Sequence, residues 1–431
     1  MKNNHFFVKV SLGLVCVALT LSSCKKDMEM AVSSEEVIIE AVQTETVTFG
    51  ISSNAEWKIE VIQTEWWLTV NPLYGKGNAT IVLEATENVE FAERIAFLAI
   101  SGEGVKTDTV KVIQAPGLDV ALKIEDENFR QYCLNEFDNS PNDGKISLKE
   151  ALNVIEINAK GLEINTLAGI EYFSKIRKLN CSANNLKEID VSSNKDLRVL
   201  DCSFNPITTI EVSELSRLTD LHLHSTNIKN IDVSKNAALE LLATSNSPIT
   251  ALNVAENKEL SVLLCSDNQL TNLDVSKNTK LLMLYCPNNR LTTLNLNMNT
   301  DLVNLWCNNQ TDGNRKLLTE LDISHNKALQ TLSCARNGIT NLSLSNNQGL
   351  IQLRCEENLL TDLDVAQNIK LDELKCSNNN LTGNIDISKN KLLKYIDFQQ
   401  NPSLHTIYVW EGFDVNNTYY EKDKSAQYVE K

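Results

Sequence analysis

The sequence predicts a multi-domain protein in which an all-β sandwich precedes a repeat solenoid with a parallel β-sheet on its concave face and a small helical N-terminal cap. A phrase of about 21 residues recurs from residue 176 to 398. Short runs that alternate apolar and polar residues, separated by turn signals, fill residues 34–117. A short helical pattern and a polar loop occupy residues 118–157 between them. Repeat arrays present extended surfaces for recognition, so the repeat favours a binding role over catalysis.

One cysteine per copy defines the repeat. The clearest copy runs from Leu260 to Asn278, and the column passes through Leu223, Thr244 and Phe398 where cysteine is absent. The cysteines of the column are Cys181, Cys202, Cys265, Cys286, Cys307, Cys334, Cys355 and Cys376. This period, with Leu, Cys and Asn at fixed offsets, resembles the leucine-rich repeat. The resemblance implies a solenoid over residues 158–407 whose strands stack in parallel.

Two columns of the repeat are predicted to serve packing. The second Leu and the Cys of each strand point inward, and neighbouring Cβ atoms ~4.8 Å apart exceed the usual disulfide range of about 3.5–4.5 Å. We therefore expect free, buried and inert thiols. The asparagines that follow are expected to form a ladder that binds loop backbone groups. They are Asn184, Asn205, Asn268, Asn289, Asn337, Asn358, Asn379 and Asn401.

The outward strand positions form two exposed columns, and most of their residues are polar. The exception is an apolar patch over four neighbouring strands, formed by Leu241, Val262, Leu264, Met283, Tyr285 and Trp306. Asp201, Asp220 and His222 flank it on one side, and Arg354 and Lys375 flank it on the other. An apolar centre with aromatic anchors and a polar rim is typical of an interface. We predict partner binding by the patch with Arg354 and Lys375. The alternative is that the insertion at residues 310–317, or the C-terminal segment, covers it.

The first domain carries a second family resemblance. Trp57-Lys-Ile, Trp67 to Pro72, Gly75 to Asn78, Arg94, and Val110 to Gln114 resemble a BACON domain. This family comprises immunoglobulin-like modules of Bacteroidetes surface proteins, which implies a β-sandwich over residues 34–117. It also implies either carbohydrate binding or a spacer role.

The tryptophans of this domain are expected to differ in position. Trp57 and Trp67 occupy strand positions of the family motif and are assigned to the core. Trp66 points the other way on the pleat, so it is the possible glycan platform.

The N-terminus resembles a bacterial lipoprotein signal. An apolar stretch from Val10 to Leu21 ends in Ser-Ser-Cys24, so residues 1–23 are a predicted signal peptide and Cys24 the lipidation site. Residues 24–33 form the predicted tether, and Lys25-Lys26-Asp27 favours display on the outer face of the cell. The resemblance implies a lipid-anchored outer-membrane protein that faces the exterior. A plain secretory signal with a chance cysteine is the alternative.

The solenoid is expected to have a cap at each end. In the N-terminal cap, the loop from Asp138 to Glu150 resembles a degenerate EF-hand loop whose spacing is wrong by one residue. It either binds calcium or serves only structure, with Ser147 and Glu150 as a capping box. Residues 408–431 are the predicted C-terminal cap.

Composition excludes several functional classes. The 431-residue chain has a formal net charge of -16 and no long Lys/Arg run, which argues against nucleic acid and against a membrane contact beyond the lipid anchor. His222 and His224 lack an evident third ligand, so no metal, cofactor or catalytic set is predicted. We expect a monomeric, non-enzymatic binding protein that takes a protein or glycan partner in adhesion or nutrient capture. The alternative is an accessory carbohydrate-binding protein that acts through the first domain.

Overall fold

The structure, a computed structural model, describes residues 28–62, 66–90, 92–117, 120–139 and 142–431. The predicted signal peptide and the predicted lipidation site at Cys24 lie outside these residues. The chain forms two compact units, Met1–Gly117 and Leu118–Lys431. Among the described residues, no helix has the length and apolar character needed to cross a membrane.

The first unit is a sandwich of two sheets, as predicted. Its strands are β1 (Met30–Val32), β2 (Glu36–Ile39), β3 (Val47–Ser53), β4 (Glu56–Ile62), β5 (Leu68–Asn71), β6 (Tyr74–Lys76), β7 (Ala79–Ala85), β8 (Arg94–Ser101) and β9 (Asp108–Gln114). The sheet orders are β1-β3-β7-β5 and β2-β9-β8-β4-β6. Strand β1 lies within residues 24–33, and its residues Met30–Val32 pair with Ile51–Ser53.

Alternation along the strands builds the sandwich core. In β8, for example, Ala96, Leu98 and Ile100 are buried while Ile95 and Phe97 are exposed. Trp57 and Trp67 are each 3% exposed and lie in the core, as the sequence predicts, whereas Trp66 is 74% exposed. The Trp57 indole donates a hydrogen bond of 2.8 Å to the Gly77 carbonyl, which satisfies its one polar atom.

Two helices begin the second unit. They are α1 (Glu127–Phe137) and α2 (Leu148–Ala151). Asp126 caps α1, and the predicted capping box of Ser147 and Glu150 is present at α2. Phe129 and Cys133 of α1 are buried in the same apolar cluster as the repeats. The helical segment therefore covers the open end of the solenoid core.

The loop between the helices uses its carboxylates for backbone hydrogen bonds. Asp138 accepts from the amides of Asp143 at 3.1 Å and Gly144 at 2.8 Å. Glu150 accepts from the Asn139 amide at 3.1 Å. Among the described residues, no three His, Cys, Asp or Glu side chains converge as metal ligands would. The structure therefore supports the structural role of the loop.

The repeats form one long parallel sheet. The strands of this unit are β10 (Glu156–Asn158), β11 (Lys178–Asn180), β12 (Val199–Asp201), β13 (Asp220–His222), β14 (Leu241–Ala243), β15 (Val262–Leu264), β16 (Met283–Tyr285), β17 (Asn304–Trp306), β18 (Thr311–Asp312), β19 (Arg315–Lys316), β20 (Thr331–Ser333), β21 (Gln352–Arg354), β22 (Glu373–Lys375), β23 (Gly383–Asp386), β24 (Tyr395–Asp397), β25 (Leu404–Val409), β26 (Tyr420–Glu421) and β27 (Gln427–Glu430). The concave sheet contains thirteen of them, from β10 to β26 without β18, β19, β23 and β25. A short 3-10 helix, Ile170–Tyr172, precedes β11.

Strand register confirms the predicted columns. Leu241 pairs with Val262, Val262 with Met283, and Met283 with Asn304. The tail differs from the prediction, because β26 adds a further strand to the concave sheet beside β24. Strand β27 also pairs with β25, so the segment predicted to leave the repeat pattern continues it on both sides of the solenoid. The final turn therefore closes the solenoid while following its geometry.

The cysteine column is buried and contains no disulfide. Every cysteine that the structure describes is a buried free thiol, as the sequence predicts. Burial raises the pKa of the Cys265 thiol to about 12 and raises the pKa of Cys286 as well. A thiol that stays protonated is a poor nucleophile, so these groups act as small apolar side chains.

The predicted asparagine ladder is present. The Asn289 side chain donates to the Cys265 carbonyl at 2.8 Å and to the Cys286 carbonyl at 3.1 Å. Its Oδ1 accepts from the Leu270 amide at 3.0 Å, so one side chain joins two consecutive repeats. In the repeat with the insertion, Gln310 takes this position and donates to the Cys286 carbonyl at 2.8 Å. The residue before each ladder position, such as Asn288, has a positive φ.

A second asparagine ladder, absent from the sequence predictions, runs along the return side. Asn278 represents it: its side chain donates to the Val254 carbonyl at 2.9 Å and to the Asn257 carbonyl at 2.8 Å. The members are Asn194, Asn236, Asn257, Asn278, Asn299, Asn326, Asn347, Asn368 and Asn390, all 0% exposed. Their Nδ2 atoms donate to carbonyls of the preceding repeat, whereas their Oδ1 atoms are buried and have no hydrogen-bond partner among the described residues. Both sides of the solenoid are therefore joined repeat to repeat.

Candidate functional site on the concave face

The predicted apolar patch lies on the concave sheet, with its six members on the four adjacent strands β14 to β17. Each member is half-buried, because neighbouring strands ~4.8 Å apart bring the side chains into contact. Ala243, the outward residue that precedes Leu264 in its column, is fully buried. The patch is thus a continuous apolar surface whose side chains pack on one another.

Two aromatic rings form the far end of the patch. Tyr285 and Trp306 stack with ring centroids 4.9 Å apart and an interplanar angle of 13°. One face of each ring is therefore occupied by the other ring. Ser333, the next residue of the column after Trp306, is only 2% exposed. Within the described residues, Trp306 Nε1 and Asn308 Oδ1 are buried and have no hydrogen-bond partner.

The predicted basic flank contains a carboxylate, Glu373, that was not included in the predicted site. Arg354 donates two hydrogen bonds of 3.0 Å to Glu373, and Lys375 Nζ lies 3.0 Å from Glu373 Oε1. Burial opposes ionisation of Glu373, yet hydrogen bonds from Arg354 and Lys375 hold its pKa below the usual value. Arg354 and Lys375 thus share one partner, while their side chains remain 37% and 40% exposed.

A second carboxyl beside this cluster was also missed. Glu356 follows Cys355 and occupies the next outward position beyond Arg354. Burial raises the pKa of its carboxyl, and its Oε2 atom has no hydrogen-bond partner among the described residues. Glu356 and Glu373 stand at the same end of the sheet as both predicted cations. The signal was available in the sequence, since strand alternation places both side chains outward.

The opposite flank is acidic. Asp201 Oδ1 accepts from the Ser203 amide at 2.9 Å, and Asp220 Oδ2 accepts from the Thr219 hydroxyl at 2.6 Å. Within the described residues neither carboxylate forms an ion pair. The ring centroids of His222 and His224 lie 6.2 Å apart. Burial lowers the pKa of His224, and the neighbouring His222 lowers it further. No metal-ligand cluster occurs here among the residues described.

The insertion forms a hairpin at the edge of the sheet. Strands β18 and β19 pair antiparallel, with Thr311 opposite Lys316. The Thr311 amide donates to the Asn289 carbonyl at 3.0 Å, and Lys316 Nζ donates to the Glu357 carbonyl. Both acceptors lie in loops that follow the concave strands. The hairpin therefore packs along these loops.

The exposed tryptophan of the sandwich has a different environment. The Arg94 guanidinium lies 5.0 Å from the centre of the Trp66 ring. Arg94 is itself 8% exposed, and it donates to the Glu87 carbonyl at 3.2 Å. A buried arginine thus supports one side of an indole that is otherwise open to solvent.

Comparisons with known proteins agree with this architecture. Residues 29–116 match the family model described as the viral BACON domain. No curated protein matches the chain. The InlJ functional domain from Listeria monocytogenes, described as including a cysteine ladder, is 26% identical, with a TM-score of 0.62 over 72% of this chain and 73% of that one.

Two further solved structures show the fold alone. An internalin, InlF from Listeria monocytogenes, is 17% identical, with a TM-score of 0.51 over 71% of this chain and 95% of that one. A leucine-rich-repeat protein of Leptospira interrogans is 18% identical, with a TM-score of 0.50 over 65% of this chain and 85% of that one. Both agree with the leucine-rich-repeat fold of the second unit. The chain combines a BACON domain with a leucine-rich-repeat solenoid.

Proposed function

We propose that the chain is a surface lipoprotein that binds a protein or glycan partner through the concave face of its solenoid, in adhesion or nutrient capture. One observation carries this proposal: a continuous apolar patch interrupts a sheet whose other outward residues are mostly polar. Covering ~300 Å² of such surface contributes roughly 7 kcal/mol, at about 25 cal/mol per Å², before the costs of association. That is enough to anchor a partner.

Anchorage by a lipid at Cys24 and exposure to the exterior belong to the same proposal. They rest on the sequence between Val10 and Asp27, which has the composition of a lipoprotein signal followed by Lys-Lys-Asp. A surface location fits a solenoid whose binding face is large and open.

The experiment captures surface proteins and glycans with the purified chain, in which Cys24→Ala prevents acylation. We expect Y285A/W306A to weaken capture at least about 30-fold, since truncation of even one central aromatic anchor costs about 2 kcal/mol or more. Tyr395→Ala is the matched control. Tyr395 is 45% exposed on the same face, but it lies on β24, far from the patch. Equal capture by Y285A/W306A and the parent chain would contradict the proposal.

A second candidate function is carbohydrate binding by the BACON domain through Trp66. The favouring observation is the 74% exposed indole that rests on buried Arg94, because sugar rings stack on open aromatic faces. A glycan array probed with the whole chain and with Trp66→Ala tests it. Loss of a glycan signal in W66A, with the signal kept in Y285A/W306A, assigns binding to the sandwich. Identical arrays for parent and W66A would exclude this role.

A further inference from the structure

Resting on the proposed function of the patch, we propose that its partner is a protein segment with two features. An apolar side chain of the segment packs at the Tyr285–Trp306 end of the patch, and a lysine or arginine of the same segment lies over Asp201 and Asp220. The inference deepens the proposed function by choosing between protein and glycan and by assigning the partner's charge.

The aromatic geometry favours a protein over a glycan. Sugar rings bind aromatic side chains through an open ring face, whereas Tyr285 and Trp306 turn a face toward each other at 4.9 Å and 13°. Both side chains are half-buried, and the indole Nε1 atom is inaccessible. The concave surface therefore offers ring edges and aliphatic groups with few polar atoms for hydroxyl groups. Aliphatic or aromatic side chains match that surface, because they need no hydrogen bonds there.

Next to the patch, the charges on the concave strands favour a cation on the side of β12 and β13. Lys178 lies 3.7 Å from Glu156, and Arg354 and Lys375 share Glu373. Each cation on these strands therefore has a carboxylate partner. Asp201 and Asp220, in contrast, form no ion pair with a cation among the described residues. Both aspartates are half-buried, so a charge above them is attracted more strongly than it would be in water.

Strand spacing fixes the distance between the two features. The nearest members of the two features are Asp220 on β13 and Tyr285 on β16, which are three strand steps apart, or ~14 Å at ~4.8 Å per step. An extended peptide rises ~3.3 Å per residue, so it spans this distance in about four residues. An extended segment that crosses the strands would thus carry its basic residue roughly four residues from its apolar anchor.

The experiment selects binders from a displayed library of random 12-residue peptides with the full C24A chain as bait. We expect recovered peptides to contain an apolar or aromatic residue with Lys or Arg about four residues away. Their binding should weaken at least about 10-fold on D201N/D220N and fall as salt rises. The matched control is Asp397→Asn, because Asp397 also accepts from the amide two residues on, at 3.0 Å, at the distant end of the sheet.

The outcomes separate this inference from the proposed function. Peptides that bind Y285A/W306A as well as the parent chain would overturn both. Peptides that depend on Tyr285 and Trp306, but lack a basic residue or bind D201N/D220N equally, would overturn the inference alone. A glycan on an array that loses binding in Y285A/W306A would overturn the choice of a protein. Circular dichroism and melting of each variant exclude unfolding as the cause.

Discussion

The sandwich and the solenoid exclude water from their interiors in different ways. The sandwich core is a closed cluster of side chains from two sheets, and its members follow strand alternation. The solenoid core is a single cluster that runs from the cap to the tail, with buried asparagines along both of its sides. A closed core limits size, whereas a solenoid extends by adding turns that satisfy the polar groups of the turn before.

The difference also concerns titratable groups. Residues 28–117 contain no cysteine, whereas the second unit contains nine buried thiols. The pKa of the thiol is raised at Cys133, Cys202, Cys265, Cys286, Cys307, Cys334, Cys355 and Cys376. A raised folded-state pKa contributes stability that is present below the unfolded pKa of about 8.5 and is lost as pH rises through the folded pKa.

The largest expected effect is therefore alkaline destabilisation of the solenoid. At pH 10 each such thiol should lower the free energy of unfolding by about 2 kcal/mol relative to pH 7, because only the unfolded chain ionises. Calorimetry under reducing conditions at pH 7 and pH 10 measures this, and the cysteine-free sandwich is the internal control. C265A/C286A/C307A should show a smaller fall between the two pH values. If the free energy of unfolding of this variant fell as much as that of the parent chain, the alkaline destabilisation would not come from these buried thiols.

A smaller effect is expected from the return-side ladder. Asn278→Ala removes hydrogen bonds to the Val254 and Asn257 carbonyls, so we expect the free energy of unfolding to fall by about 1–3 kcal/mol. Asn297→Ala is the matched control, since Asn297 is exposed in the neighbouring repeat and should change stability by less than about 0.5 kcal/mol. Urea denaturation measures both. Similar midpoints for the two variants would mean that the ladder does not join the repeats.

The sequence predicted the parts of the fold that the period determines. The two concave columns, the cysteine column and the first asparagine ladder follow from strand alternation and a fixed repeat, and the structure confirms them. The second ladder was missed because the asparagine of the Leu-Asp-Val-Ser-x-Asn half lies outside any strand, where alternation gives no direction. The β26 strand was missed because Tyr420 and Glu421 follow a segment without the repeat's Leu and Cys.

The candidate site was predicted in its apolar part and less well in its charges. Tyr285 and Trp306 are neighbours in one column, so their proximity follows from the register, but their stacking does not. Arg354 and Glu373 are separated by 19 residues and meet by lying on adjacent strands in different columns. The repeat pattern predicts which residues point outward. Ion pairs between the two columns also depend on side-chain rotamers and burial, which the pattern does not determine.

The hairpin after Gln310 shows where this protein accepts new sequence. The longer repeat still pairs its strands in register, because Gln310 occupies the ladder position and the Leu317 amide returns to its carbonyl at 2.8 Å. The strand and the residues of both ladders are constrained by the neighbouring repeats, whereas the loop directly after the first ladder position accepts extra residues here. Each remaining turn has an equivalent position, so a reporter peptide or affinity tag inserted there should leave the stack intact. The same position is a natural point for relatives to diversify without rebuilding the core.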